Sequence, residues 1–118
     1  MIHSIGCDLV SMERIKSLEF DRFSKKILSD TELKEYELIN HDNRKLSYLA
    51  GRFAAKEALF KCFKAGDKTA NYKDFSILND ENGAPYVVSK YTTDYVVHVT
   101  LSHTDTDAIA FVVLEVKV

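Results

Sequence analysis

The sequence has no tryptophan, a single proline, four glycines and two cysteines among its 118 residues. So little proline and glycine excludes collagen-like repeats and flexible low-complexity linkers, and nothing divides the chain into separate units. Cys7 and Cys62 are too few for a disulfide framework, and neither sits in a Cys-x-x-Cys or Cys-x-x-His pair of the kind that holds zinc. Charge of one sign is also lacking. Sixteen Lys and Arg against eighteen Asp and Glu leave a net charge of −2, without the basic excess of a nucleic-acid binder. No run approaches the ~20 apolar residues of a membrane helix. The start, Met1-Ile2-His3-Ser4, shows no basic-then-apolar signal peptide. Gly-x-Gly-x-x-Gly, the Walker lysine motif and the Gly-x-Ser-x-Gly nucleophile elbow are all missing, so dinucleotide, P-loop and serine-hydrolase readings lose their support. What remains is one domain spanning residues 1–118, working in a reducing cytoplasm, with no nucleic-acid or membrane partner.

A hydrophobic fraction of 46% is enough for a packed core. Residues 2–9 read as a strand, and Ser11 caps a helix over about residues 12–18. Ser29 and Glu32 form the Ser-x-x-Glu capping box, with Leu28 and Leu33 at the staple positions, so a second helix starts there and ends near Asn40. Residues 43–64 carry the longest helical pattern, with Gly66 suited to a left-handed exit. The period then changes. Strands are expected at 75–78 and 84–88, joined by the turn Asp80-Glu81-Asn82-Gly83, and again at 96–102 and 108–116. One strand, then helices, then several strands predicts an α+β domain with helices packed on one face of a largely antiparallel sheet.

Chemistry enters through the long helix. At 100° per residue, Leu46, Ala50, Phe53 and Phe60 form one apolar stripe. Glu57 follows Leu46 by eleven residues, about 20° of drift, and lies in the same stripe. A carboxylate there needs a metal or a cation. Lys61, four residues on, offers an ordinary intrahelical ion pair. Asp8 ends the first strand just before a helix start, where an acid either caps a turn or serves a site. Together, Asp8 and Glu57 suit Mg²⁺, which is typically held by one or two carboxylates plus substrate phosphates. Lys61 and Arg52 would neutralise the remaining phosphate charge. Ser102 and His103, at the end of a strand, are either surface residues or phosphate donors. Residues 14–26 carry Arg14, Lys16, Arg22, Lys25 and Lys26 against Glu19 and Asp21, either a solvated face or a docking surface for an acidic partner.

These pieces resemble one family. Ile5-Gly6-Cys7-Asp8 resembles the Gly-x-Asp motif of the holo-[acyl-carrier-protein] synthases, in the 4′-phosphopantetheinyl transferase superfamily. Arg52-Phe53-Ala54-Ala55-Lys56-Glu57-Ala58, then Phe60-Lys61, is similar to the family's Lys-Glu-Ala helix. Asn82-Gly83-Ala84-Pro85 resembles its Asn-Gly-Lys-Pro turn, and Leu101-Ser102-His103-Thr104 its Ser-His segment. The likeness runs through almost the whole chain.

The resemblance implies transfer of 4′-phosphopantetheine from coenzyme A to a serine of apo acyl carrier protein, releasing 3′,5′-ADP, in fatty acid biosynthesis. It implies Mg²⁺ on Asp8 and Glu57, and Lys61 at a coenzyme A phosphate. Arg52, Ser102 and His103 would hold coenzyme A phosphates, and Asn82, Gly83 and Pro85 would line the adenine side. Arg14, Arg22, Lys25 and Lys26 would dock the acidic carrier protein. It further implies a homotrimer whose sites join one subunit's carboxylates to its neighbour's Ser-His segment. Three acceptors for the serine proton stay open: a water on the metal, Glu57 or Lys61. Two departures stand out. Lys64-Ala65-Gly66 replaces a Gly-Thr-Gly loop, and Ala84 replaces a common lysine. The altered Lys64-Ala65-Gly66 loop is the best support for the alternative of a non-catalytic carrier-protein or coenzyme A binding module.

Overall fold

A computed structural model describes residues 1–63 and 71–118. Its elements, in chain order, are β1 (Ile2–Ser11), α1 (Met12–Lys16), α2 (Phe20–Ile27), α3 (Asp30–Glu37), α4 (Asp42–Phe63), β2 (Ser76–Asn79), β3 (Pro85–Val88), β4 (Tyr95–His103) and β5 (Asp107–Val116). Short 3-10 turns cover Tyr72–Asp74 and Lys90–Thr92. Strands β1, β5 and β4 form one antiparallel sheet in that order, and β2 pairs with β3 in an antiparallel hairpin. This is the α+β arrangement expected, with the helices on one face of the three-stranded sheet.

Alternation divides the sheet. Ser4, Gly6, Val10, Ala108, Ala110, Val112 and Leu114 turn inward and are buried under α4. The opposite face leaves Ile5, Leu9, Ile109 and Phe111 exposed, at 60%, 66%, 41% and 41%. So much apolar surface on one sheet face is more than a solvated β-sheet needs.

Helix α4 is the central element. The sequence predicts one apolar stripe, but residues 49–56 are buried without a break, as are Ala58, Leu59 and Cys62. The sheet covers one side of the helix, while α1–α3 pack on the others. Small residues let this happen. A Cβ at Gly6 of β1 would lie 2.1 Å from the Ala58 carbonyl oxygen, so only glycine permits the strand to seat against α4.

Both predicted caps form. The Ser11 hydroxyl accepts from the Arg14 amide at 3.3 Å. Ser29 and Glu32 close a reciprocal box. The box has a second role that sequence spacing does not reveal. Glu32 and Lys56 are fully buried and paired at 2.5 Å. Lys56 Nζ also donates to the Ile27 carbonyl at 2.7 Å, and Glu32 Oε2 accepts from the Ile77 amide at 2.8 Å. Four elements therefore meet at one ion pair. Burial draws the Lys56 pKa below its ordinary value, with the Glu32 charge opposing that shift.

Helix α2 is not placed by residue patterning alone, although Arg22-Phe23 and Ile27-Leu28 resemble the family's helical region. Its N-cap, Glu19, makes no side-chain cap bond, so the usual start signal is missing. Phe20, Phe23 and Ile27 at helical spacing pack it into the core instead. The predicted helix exit at Gly66 and the Lys64-Ala65-Gly66 departure lie outside the described residues.

Candidate active site

The close approach at Gly6 builds the first part of the site. Asp8 lies two residues beyond Gly6 on the same face of β1, and Glu57 immediately precedes Ala58. Asp8 is thereby set over the face of α4 that carries Glu57 and, one turn later, Lys61. The ordinary Glu57–Lys61 ion pair, the alternative to a metal role for Glu57, does not form. Lys61 Nζ instead donates to Asp8 Oδ1 at 2.9 Å and to the Cys7 carbonyl at 2.9 Å. The Asp8 hydrogen bond raises the Lys61 pKa, so at neutral pH the side chain is an ammonium.

Glu57 takes a different partner. Its Oε1 accepts from the hydroxyl of Tyr72, in the 3-10 turn after α4. Burial pushes the Tyr72 pKa up, and the hydrogen bond and charge of Glu57 push it further. The charge on Asp8 acts in the same direction and that on Arg14 against it. Lys61 with Asp8, and Tyr72 with Glu57, are the two bonded pairs at this junction of β1 and α4. No set of three or more His, Cys, Asp or Glu side chains able to hold a metal occurs among the described residues. A pair of oxygen donors without nitrogen or sulfur is poor for zinc but fits Mg²⁺, which completes its shell with water and substrate oxygens.

The second part of the site is a groove between the N-terminal half of α4 and the end of β4. Arg44, Tyr48, Arg52, Asn79, Ser102 and His103 all line it. The sequence sets Arg52 both beside Lys61 and, by resemblance, with Ser102 and His103; five residues of helix turn it about 140° from Glu57, and it lines the groove with the latter two. Arg52 Nε donates to the Ile77 carbonyl at 3.2 Å, and its guanidinium lies 4.1 Å from the centre of the Tyr48 ring. Its Nη2 is buried without an acceptor among the described residues. Such an enclosed donor loses about 1–3 kcal/mol until something accepts from it.

Ser102 pairs with Ile109, and His103 with Ala108. Alternation directs the two side chains to opposite faces, with His103 on the α4 side. The turn residues Asn82 and Gly83 are exposed, and Gly83 has φ +83°, the conformation that favours glycine there. Pro85 pairs with Asn79 at the groove's lip. Strand order keeps the two parts apart. Asp8 is on edge strand β1 and Ser102 on edge strand β4, with β5 between them, a backbone separation of roughly 10 Å.

The four predicted docking residues, Arg14 on α1 and Arg22, Lys25 and Lys26 on α2, are all exposed. None forms an ion pair among the described residues.

Sequence reasoning missed Arg44, Tyr48, Tyr72 and the Lys56–Glu32 pair. The first two carried a signal, because Arg44, Tyr48 and Arg52 are spaced by four and share a helix face. Tyr72 carried none, since only tertiary structure brings it back to Glu57.

Comparison with known proteins identifies the family. Residues 4–113 match the 4′-phosphopantetheinyl transferase superfamily. A holo-[acyl-carrier-protein] synthase from Acholeplasma laidlawii is 73% identical over 118 residues, covering 100% of both chains. One from Bacillus subtilis is 40% identical over 118 residues, covering 98% of this chain and 97% of its own. Among solved structures, a holo-(acyl-carrier-protein) synthase from Bacillus anthracis in complex with CoA (3′,5′-ADP) superposes with a TM-score of 0.90 at 35% identity, covering 99% of each chain. The Helicobacter pylori holo-[acyl-carrier-protein] synthase in complex with coenzyme A gives a TM-score of 0.77 at 32% identity, covering 94% of this chain and 99% of that one.

Proposed function

Because the chain belongs to the holo-[acyl-carrier-protein] synthases of the 4′-phosphopantetheinyl transferase superfamily, we propose that it moves 4′-phosphopantetheine from coenzyme A to a serine of apo acyl carrier protein. The reaction releases 3′,5′-ADP, requires Mg²⁺ and serves fatty acid biosynthesis in the cytoplasm. Residues 1–118 act as one catalytic domain. The observation that carries this reading is the Asp8–Glu57–Lys61 cluster, built where Gly6 lets β1 touch α4.

The serine oxygen attacks the β-phosphorus of the coenzyme's diphosphate, and the bond from that phosphorus to the oxygen of 3′,5′-ADP breaks. Asp8 and Glu57 would hold Mg²⁺, which, when bound with the diphosphate, neutralises charge on the phosphate under attack. Lys61 contributes a fixed positive charge beside Asp8. The serine proton passes to Lys61, to Glu57 or to a water, the three acceptors within reach of this cluster. Arg44, Arg52, Ser102 and His103 bind phosphates of coenzyme A. The unpaired Nη2 of Arg52 is the donor such a ligand would satisfy. Asn82, Gly83 and Pro85 border the adenine. Arg14, Arg22, Lys25 and Lys26 dock the carrier protein through charge.

Self-association completes the site. The carboxylate cluster and the Ser-His segment lie at opposite edges of one sheet, whose outer face is apolar and exposed. A homotrimer packed through that face joins one subunit's carboxylates to its neighbour's groove. Asp8→Ala and Glu57→Gln test the metal assignment. Each is expected to abolish transfer while the protein stays folded by circular dichroism, and full Mg²⁺-dependent turnover by either would overturn it.

A further inference from the structure

We infer that Tyr72 is a positioning residue for Glu57, whose hydroxyl fixes one carboxylate oxygen so that the other is presented to a divalent cation. This rests on the reading of Glu57 as a magnesium ligand and extends it to a residue outside the recognised motifs. The Tyr72 hydroxyl donates to Glu57 Oε1. The ring that carries it is held in turn. Its centre lies 5.8 Å from that of Phe53 and 5.0 Å from that of Phe60, the residues four before and three after Glu57 on α4. The backbone is held too, because Asn71 and Asp74 cap the 3-10 turn reciprocally.

A glutamate on a helix has three side-chain torsions, and a lysine four residues later is its natural partner. Here Lys61 is bound to Asp8 at 2.9 Å. The phenol gives Glu57 Oε1 a neutral partner, so the ammonium of Lys61 pairs with Asp8 and not with Glu57. Hydrogen bonds of this kind behind a ligating carboxylate orient it, and their loss typically weakens metal binding by about 10–100-fold.

The test is titration of the whole protein, saturated with coenzyme A, with Mn²⁺ followed by electron paramagnetic resonance. Tyr72→Phe keeps the ring and its packing and removes only the donor. It is expected to raise the Mn²⁺ dissociation constant by roughly tenfold while the metal-free melting temperature stays that of the parent. Phe60→Leu, which loosens the ring but keeps the hydroxyl, should give a smaller increase in the same direction. In a Glu57→Gln background, Tyr72→Phe should add nothing, because its effect passes through that carboxylate. Parental Mn²⁺ affinity in Tyr72→Phe, or an undiminished effect in the Glu57→Gln background, would overturn the inference. Parental affinity in Glu57→Gln alone would instead remove the magnesium reading on which the inference stands.

Discussion

Gly6→Ala adds one carbon where β1 touches α4, and the structure predicts its consequence closely. The new Cβ would lie 2.1 Å from the Ala58 carbonyl oxygen and 2.9 Å from Cys62 Sγ. A comfortable carbon–oxygen contact needs about 3.3 Å, so strand and helix must separate by roughly 1.2 Å. The backbone oxygen cannot turn away as a side chain could. Overpacking of this sort costs about 1–3 kcal/mol, or some 4–12 °C of melting temperature in a domain of this size. Activity should suffer more. Asp8 is two residues along the displaced strand, and a misplacement near 1 Å can cost about a hundredfold in rate. Thermal denaturation and phosphopantetheine transfer, measured on the same preparation, read the two effects. Cys62→Ala, which removes only the sulfur contact, should not restore Gly6→Ala. Parental stability and a rate within twofold would refute the claim that glycine at this position builds the site.

Removing one partner of the buried pair should be severe. Lys56→Met strands Glu32 without its cation and is expected to lose roughly 3–5 kcal/mol in urea denaturation, with part regained on adding Glu32→Gln. Lys61 makes a prediction about pH. Its folded pKa is raised, so its stabilising pairing with Asp8 is complete below the ordinary value of 10.5 and lost only as pH rises past the raised value. Lys61→Arg should therefore keep transfer within about tenfold with an unchanged pH profile near neutrality, whereas a loss of about 10²–10⁴-fold would identify Lys61 as the proton acceptor. Arg14→Glu should raise the carrier-protein KM at low salt while leaving the coenzyme A KM unchanged, and the difference should shrink as salt is added. An unchanged carrier-protein KM at low salt would count against docking at α1.

Much of the fold was legible because local signals and burial agreed. The Ser29–Glu32 box started α3 one residue after the cap, and the alternation of Val97, Val99 and Leu101 correctly set one face of β4. Helix α2 escaped because its N-cap makes no side-chain bond and only packing holds it. The site divides in the same way. Asp8 and Glu57 could be singled out because an acid after a tight Gly-x-Asp strand and an acid amid apolar residues each need an explanation. Their partners could not. Helical spacing gave Lys61 to Glu57, but the approach of β1 gives it to Asp8, and Tyr72 arrives from fifteen residues on to replace it. Charge chemistry alone grouped Arg52 with Lys61, whereas the turn of the helix sends it to the groove beside Tyr48, Ser102 and His103, the company the family resemblance implied. The Lys56–Glu32 pair was hidden because each residue alone reads as ordinary surface charge.

The central claim is a magnesium-dependent transfer of phosphopantetheine, and intact-mass spectrometry of the acceptor tests it most directly. Apo acyl carrier protein is incubated with this protein, coenzyme A and Mg²⁺, with and without a chelator. The account predicts a gain of one phosphopantetheine that disappears when Mg²⁺ is chelated and in Asp8→Ala. An acceptor of unchanged mass, despite folded protein and measurable coenzyme A binding, would contradict it.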